Sequence, residues 1–459
     1  EGVIAFNGSG TAPAASSVEW YQENGIKTIE QQTPHAVTIP GAVDAWSQLL
    51  ADHGTMNLGD LLQPAIGYAA DGAPVNHRQS HDWKLCVELL SSDPTSASQY
   101  LNNGEPPEMG SRVKLPLLAK TLEHIAENGR DAFYSGWVAE DIVTYLQSLG
   151  GLHTREDFAN YNGKYVEPIS TNYRGYDVFE CPPNGQGIVA LAALNILSGF
   201  DMGGLEAVSV ERLHLEIEAI RLAYRDRNDA LGDPDFEDIP VDQWLSEKHA
   251  AAERANIDVA KRMPDIPPSA LPAHKDTVYL TVVDKDRNAV SFINTLFHMF
   301  GSGLTAPKSG VVLQNRAMGF VVEPGHPNCI APNKRPLHTI IPGMLMKDGK
   351  AQMPFGVMGG AYQACGHVHL LTNLIDHDMD LQEALDCTRV FPDVDDPDGR
   401  VQVETGLPEE VLNGLHEKGH KTYIPARPIG GAQAIWIDWD NDVLRGASEP
   451  RKDGMAAGY

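Results

Sequence analysis

The chain has 459 residues, 42% hydrophobic and 21% charged, the make-up of a folded protein with a large core. Its 62 acidic and 35 basic residues give a formal charge of −27 with no Lys/Arg stripe, which argues against nucleic acid or an anionic membrane as partner. Five widely spaced cysteines without a C-x-x-C make neither a disulfide framework nor a zinc set and read as incidental thiols, and no apolar run is long enough to span a bilayer.

In chain order, Leu117, Leu118, Leu122, Ile125 and Ala126 fall at helical spacing, and Gly129 stops that helix. Ala139, Ile142, Val143, Leu146 and Leu149 predict a second helix, closed by Gly150 and Gly151. Thr154 with Asp157 reads as the N-cap of a short one. Residues 165–180 read as extended, with a turn at Arg174 and Gly175. Gly185, Gln186 and Gly187 open an apolar helix through Leu197, and Leu213, Ile217, Ile220 and Tyr224 predict a long helix ended by Gly232, Asp233 and Pro234. These stripes are core-facing surfaces rather than cofactor boxes.

From about 260 to 276 the chain is irregular, with four prolines between Met263 and Pro272. At Thr277 the pattern becomes β-branched and alternating: a strand over 277–284, a turn at Lys285–Asn288 and a returning strand over 289–295. Further on, Leu381–Cys387 reads as helix and Ala432–Asp438 as strand. No repeat, low-complexity tract or Gly/Ser linker appears. The reading is a mixed α/β (α+β) chain whose segments 1–276 and 277–459 are parts of one folded unit.

The junction at Asp276 and Thr277 could hold chemistry. A threonine hydroxyl is a weak nucleophile and needs a base. If the peptide bond before Thr277 is cut, the freed α-amine, with a pKa near about 8, becomes that base within the same residue. A second hydroxyl should orient the first. With a turn confined to residues 286–288, Tyr279 pairs with Thr295, placing Thr295 diagonal to Thr277 at a Cα separation of roughly 7–8 Å. Gly359 and Gly360 offer successive backbone N–H groups for an oxyanion hole.

The run D-T-V-Y-L-T-V-V-D-K-D-R-N-A-V-S-F at 276–292 resembles the start of the small subunit of γ-glutamyltranspeptidases. G-S-G at 301–303, S-G-V-V-L-Q-N at 309–315, P-N-K-R-P at 332–336, the Gly359–Gly360 pair and the C-terminal G-A-S-E-P-R-K-D-G-M-A-A-G-Y continue the likeness. Earlier, T-I-P-G-A-V-D-A-W at 38–46, Y-R-G-Y at 173–176, A-Y-R-D-R at 223–227 and L-G-D-P-D-F at 231–236 agree with it. The resemblance implies the four-layer αββα sandwich of N-terminal-nucleophile hydrolases. It implies a precursor that cuts itself between Asp276 and Thr277 into a large subunit, 1–276 and incomplete at its N-terminus, and a small subunit, 277–459. Thr277 would be nucleophile and base, Thr295 its hydroxyl partner, and Gly359 with Gly360 the oxyanion hole. No metal or organic cofactor is expected. A dimer of heterodimers is one open assembly, and the compartment is read as cytoplasmic, with periplasmic or secreted as the alternative.

Several positions depart from the γ-glutamyl enzymes. Where the family implies an asparagine two residues past the second threonine, this chain has Phe297; where it implies an aspartate before a phenylalanine, it has Gly319 before Phe320. A Ser-Ser pair after K-R-P becomes His338 and Thr339, and an N-terminal arginine falls at Ser9. The segment between Pro324 and Pro332 is short. A zwitterionic substrate needs those charges in a dry pocket, so γ-glutamyl transfer is disfavoured. F-G-S-G, L-Q-N-R and H-T-I-I-P look closer to the divergent branch that holds oxamate amidohydrolase. The leading expectation is hydrolysis, with water as acceptor, of a small carboxylate-bearing amide, with Arg316 as the carboxylate's cation or else a surface arginine. His338 is a substrate contact or a structural histidine. A γ-glutamyltransferase or glutathione hydrolase, a cephalosporin acylase-like enzyme and an inactive scaffold are the alternatives.

Overall fold

The computed structural model describes residues 2–266 and 277–458; Asp276, and with it the upstream side of the expected cleavage site, lies outside them. The chain forms two compact units, one from Glu1–Ala5, Val166–Asn294 and Leu337–Tyr459, the other from Phe6–Tyr165 and Thr295–Pro336. Each takes chain from both sides of residue 277.

The first unit is built on a six-stranded sheet in the order Val443–Ser448, Gly431–Asp438, Lys350–Met358, Gly343–Lys347, Tyr176–Glu180, Ile169–Tyr173. All neighbours are antiparallel. The central strand, Lys350–Met358, is buried along most of its length, and successive residues serve opposite faces. Phe355 and Val357 face the helix Tyr362–Ile375: Phe355 lies 4.7 Å, ring to ring, from His367, and Val357 sits against Gly366. Gly356 faces the other way, where a Cβ would come 2.4 Å from the Tyr279 ring of the hairpin Val278–Val283/Ala289–Asn294. The missing side chain lets that hairpin lie flat on the sheet. On the helical side, Gly187–Leu197 is buried at every residue and packs with Val210–Ala230 and Tyr362–Ile375 into one core.

The predicted elements of this unit stand close to their expected bounds. Arg174 and Gly175 turn with φ of 54° and 88° between Ile169–Tyr173 and Tyr176–Glu180. Ser209 caps the long helix by accepting from the Arg212 amide. The hairpin register is corrected: Tyr279 pairs with Ile293 and Val278 with Asn294, not Tyr279 with Thr295. The turn takes residues 284–288, because the Asp284 carboxylate accepts from the amides of Asp286 at 2.9 Å and Asn288 at 2.8 Å while Arg287 adopts φ of 67°. Thr277 and Thr295 are therefore the next residues beyond the last ladder pair on their two strands.

The second unit is mainly helical, with Ala42–His53, Leu58–Asp71, Pro116–Asn128 and Trp137–Ser148 around a core that includes Leu304, Ala306 and Leu313 from its later segment. The expected helix ends are present: Gly129 has φ of 69°, and Thr154 with Asp157 forms a reciprocal capping box. Asp44 of the P-G-A-V-D run is fully buried, accepting from the Gly163 amide at 2.7 Å and pairing with the Arg130 guanidinium.

Candidate active site

Gly359 and Gly360 form the turn between the central strand Lys350–Met358 and the helix Tyr362–Ile375. Their φ values are 135° and 62°, and a Cβ on Gly359 would meet the Gly430 Cα at 2.9 Å. Only glycine fits there. Their carbonyls are committed to the helix, accepting from Tyr362 N and Gln363 N at 3.1 Å each. The turn thus sits at a helix N-terminus, whose dipole favours negative charge.

Thr277 is 6% exposed. Gln363, in the first turn of the same helix, donates from Nε2 to Thr277 Oγ1 at 3.4 Å, and its Oε1 accepts from the Ile341 amide at 3.2 Å. Gln363 thereby links the Gly-Gly turn, through its backbone amide, to the threonine hydroxyl, through its side chain. A second glutamine anchors the turn itself: Gln186 Nε2 donates to the carbonyls of Gly360 and Thr339, both at 3.0 Å. Gln186 Oε1 accepts from the buried Arg227 guanidinium at 2.9 Å, which lies 4.5 Å over the Tyr224 ring. Tyr224 in turn donates its hydroxyl to the Ala361 carbonyl. His338 and Thr339 are buried; the His338 amide donates to Asn184 O at 2.8 Å, and its Nδ1 accepts from Ile340 N at 3.3 Å.

Beneath the turn, His367 accepts from the Val357 amide at Nε2, 3.2 Å, so its Nδ1 carries the proton and donates to Glu180 Oε1 at 2.5 Å. Burial raises the Glu180 pKa, opposed by His367. The pair pins the strand that delivers Gly359 to the helix behind it.

Thr295, Phe297, Arg316 and Gly319 belong to the second unit. Thr295 Oγ1 accepts from the Phe297 amide at 3.0 Å. Phe297 has φ of 79°, a conformation that an asparagine adopts far more readily than a phenylalanine. Its ring is held between His298, stacked at 4.8 Å, and the Arg316 guanidinium, 3.9 Å from the centroid. Arg316 is 4% exposed, which ends the surface-arginine reading, and burial lowers its pKa well below the ordinary value. Gly319 closes the 3-10 turn Arg316–Gly319, and its carbonyl accepts from the Asn328 side chain. Ser9, also buried, uses its carbonyl to accept from Arg335 and Tyr161, both at 3.1 Å.

The sequence reading missed Gln363, Gln186 and Arg227. Gln186 and Arg227 stood inside quoted motifs, as a helix opener and the end of A-Y-R-D-R. Gln363 follows Gly360 by three residues, one helical turn, which is the signal that could have found it. Among the described residues two groups have metal-ligand character, His214/Glu218/His420 and Asp226/His249/Glu253. Each is closed by its own bonds: His214 Nδ1 to His420 Nε2 at 2.8 Å with Glu218 on Arg221 at 2.7 Å, and Arg225 on both Asp226 and Glu253 at 2.8 Å.

A family model described as Gamma-glutamyltranspeptidase matches residues 1–459. The chain is 36% identical to the glutathione hydrolase-like YwrD proenzyme of Bacillus subtilis, over 99% of this chain and 87% of that one. It is 32% identical to the oxamate amidohydrolase proenzyme of Klebsiella pneumoniae, with the same two coverages, 99% and 87%. The crystal structure of cephalosporin acylase from Bacillus halodurans superposes with a TM-score of 0.92 at 36% identity, covering 100% of this chain and 85% of that one. The fold is that of the N-terminal-nucleophile hydrolases. The chain belongs to the γ-glutamyltranspeptidase family, whose relatives here are named as proenzymes, and it is a hydrolase of that threonine-nucleophile class. No helix among the described residues is long and apolar enough to cross a membrane.

Proposed function

We propose that the protein is an autoprocessed amidohydrolase that cleaves a small carboxylate-bearing amide, of which oxamate is the model, through a threonyl acyl-enzyme at Thr277. The observation that carries the reading is the bridge from the Gly359–Gly360 turn through Gln363 to Thr277 Oγ1. A hydroxyl linked through one residue to a glycine turn at a helix N-terminus supports this reading, since acyl transfer needs backbone amides where the oxyanion forms.

Cleavage before Thr277 frees the α-amine. That amine takes the proton of the Thr277 hydroxyl as Oγ1 attacks the amide carbonyl. The amides of Gly359 and Gly360 hold the oxyanion, and the orienting hydroxyl is the part that the family resemblance implies for Thr295. As the C–N bond breaks the amine returns the proton to the leaving nitrogen, which departs as ammonia or an amine. Water then attacks the ester by the same route in reverse and restores the free hydroxyl.

Phe297, Gly319 and Ser9 support a substrate without an α-amino acid headgroup. An apolar ring and a glycine offer no counter-charge to an ammonium, and the buried Arg316 is a cation of the right sign for a carboxylate. The likeness to the cephalosporin acylase favours a second reading, a larger acyl group with the same chemistry. A panel of oxamate, simple amides, glutaryl amides and a γ-glutamyl anilide, followed by ammonia or amine release, tests both. Turnover led by oxamate supports the first reading, turnover led by glutaryl amides the second. A γ-glutamyl compound accelerated by glycylglycine would overturn both in favour of transfer.

A further inference from the structure

We propose that His367 and Glu180 are positioning residues for the reaction at Thr277: they brace a fork in the central sheet, and the fork fixes where the Gly359 and Gly360 amides stand. The proposal rests on the reading of Thr277 as nucleophile given above. The fork is visible in the strand register. Gly343–Lys347 pairs with Lys350–Met358 as far as Gly343 opposite Phe355. Counted on in that register, Val357 would face Ile341, but the ladder stops short of them. Before Gly343 the chain runs instead beside residues 184–186: the His338 amide donates to Asn184 O at 2.8 Å, and the Gln186 amide to His338 O at 3.0 Å. One prong of the fork is thus 357–360 and the other 338–341.

Two side chains from the helix Tyr362–Ile375 occupy the opening. Gln363 and His367 are four residues apart and so lie on one helix face. The Ile341 amide donates to Gln363 Oε1 at 3.2 Å, and the Val357 amide donates to His367 Nε2 at 3.2 Å. The two backbone donors that the broken ladder leaves over are each answered by one of these side chains. Each side chain then passes a bond onward. Gln363 Nε2 donates to Thr277 Oγ1 at 3.4 Å, and His367 Nδ1 donates to Glu180 Oε1 at 2.5 Å. Glu180 ends the strand Tyr176–Glu180, which is the next in the sheet beyond Gly343–Lys347. His367 thereby joins the central strand to the strand two places away, across the gap left where Gly343–Lys347 begins.

The surroundings are shaped for this pair. Both side chains are fully buried. A Cβ on Gly187 would lie 2.6 Å from the Glu180 Cβ, so the helix Gly187–Leu197 starts on a glycine that leaves the carboxyl its place. Glu180 Oε2 has no hydrogen-bond partner among the described residues, so there the carboxyl is held by His367 alone. A buried polar pair of this kind is costly to break from one side, which keeps the imidazole where Val357 needs it.

Val357 stands two residues before Gly359, so a shift at Val357 is carried into the amides that hold the oxyanion in the proposed mechanism, where small displacements are expensive. The oxyanion forms only on the way to the tetrahedral intermediate. The pair is therefore felt in kcat rather than in KM.

Kinetics on the cleaved protein, with the amide that wild type turns over fastest, test this. His367→Leu strands the Val357 amide and should lower kcat ~10- to 100-fold with KM within about twofold. His367→Gln keeps an acceptor for Val357 and a donor for Glu180, and should bring kcat back to within about threefold of wild type. His367→Leu also leaves a bare buried carboxyl, so Glu180→Met/His367→Leu is measured beside it. The double variant removes both polar side chains and should fold with the same loss of kcat. Amide hydrogen exchange of the peptide over 355–361 reads the fork without any substrate. Exchange should be ~10-fold faster in the two Leu variants and restored in His367→Gln. Wild-type kcat or wild-type exchange in a folded Leu variant, a loss carried by KM, or a His367→Gln protein as slow as His367→Leu overturns the proposal. If neither Leu variant folds, His367→Gln decides. Full turnover by Thr277→Ala would remove the nucleophile reading instead, and is measured separately.

Discussion

Gln363 holds Thr277 by a single hydrogen bond, Nε2 to Oγ1 at 3.4 Å, while its own carbonyl oxygen accepts from the Ile341 amide at 3.2 Å. The two ends of this side chain do different work, and substitution can separate them. Gln363→Glu keeps the acceptor for Ile341 and replaces the donor facing the threonine by a carboxylate oxygen. It is expected to lower kcat roughly 10- to 100-fold with little change in KM, since an oriented hydroxyl matters most in the transition state. Gln363→Leu removes both ends and strands the Ile341 amide, adding a loss of about 1–3 kcal/mol in stability. Steady-state kinetics and urea midpoints on the two variants distinguish these effects; equal kcat in wild type and Gln363→Glu would separate the contact from turnover.

Gly359, in the turn after the central strand, has no room for a side chain. Gly359→Ala must place a Cβ against Gly430 Cα at a φ of 135°. Moving these amides should cost on the order of 10²–10³-fold in kcat, as loss of an oxyanion donor does. Turnover within a factor of two of wild type would remove the turn from the site.

Phe297 occupies a left-handed backbone position suited to asparagine, and Gly319 leaves out a carboxylate that the family resemblance implies. The double variant Phe297→Asn/Gly319→Asp is therefore expected to raise kcat/KM for a γ-glutamyl anilide by about tenfold or more, because a charged hydrogen bond contributes roughly 1.5–3 kcal/mol. The comparison is made on one cleaved preparation of each protein. No gain, with oxamate turnover also unchanged, would show that specificity resides elsewhere.

Glu216 ties the helices Val210–Ala230 and Tyr362–Ile375 together through Arg212, His369 and Thr372. Burial alone would raise its pKa, but Arg212 and His369 take it well below the ordinary 4.5. Because the folded value is depressed, its contribution to stability is complete above the ordinary pKa and is lost as pH falls through the folded one. Glu216→Gln should lose about 3–5 kcal/mol at pH 7, where it leaves Arg212 buried without its counter-charge. The gap to wild type should narrow as pH is lowered below 4.5. Denaturation midpoints at pH 7, 5 and 3 measure it; a gap independent of pH would rule out the ionic contribution.

Much of the fold was legible in the sequence because local chemistry decides it. Thr154 with Asp157, Gly129, and Arg174 with Gly175 mark their turns and caps by residue type alone. The hairpin was legible as two strands, but its register was not. Counting apolar alternation does not show that Asp284 draws the amides of Asp286 and Asn288 into a longer turn. The helix Tyr362–Ile375 was not read because its face toward the core is continuous rather than periodic, with Tyr362 through Asn373 all buried. The family motifs marked Thr277 and the glycines. The residues that hold them, Gln363 and Gln186, act through contacts 86 and 174 positions apart in sequence, which no local pattern reveals.

The account rests on Thr277 being the first residue of a cleaved chain. Intact mass and N-terminal sequencing of the purified active protein test this most directly, beside Thr277→Ala and Thr295→Ala. The account predicts two chains, one beginning at Thr277, a Thr277→Ala protein that stays single and turns over substrate more than about 10³-fold more slowly, and slowed cleavage in Thr295→Ala. An active wild-type enzyme that remains one continuous chain through residues 276 and 277, or a Thr277→Ala protein with wild-type turnover, would contradict it.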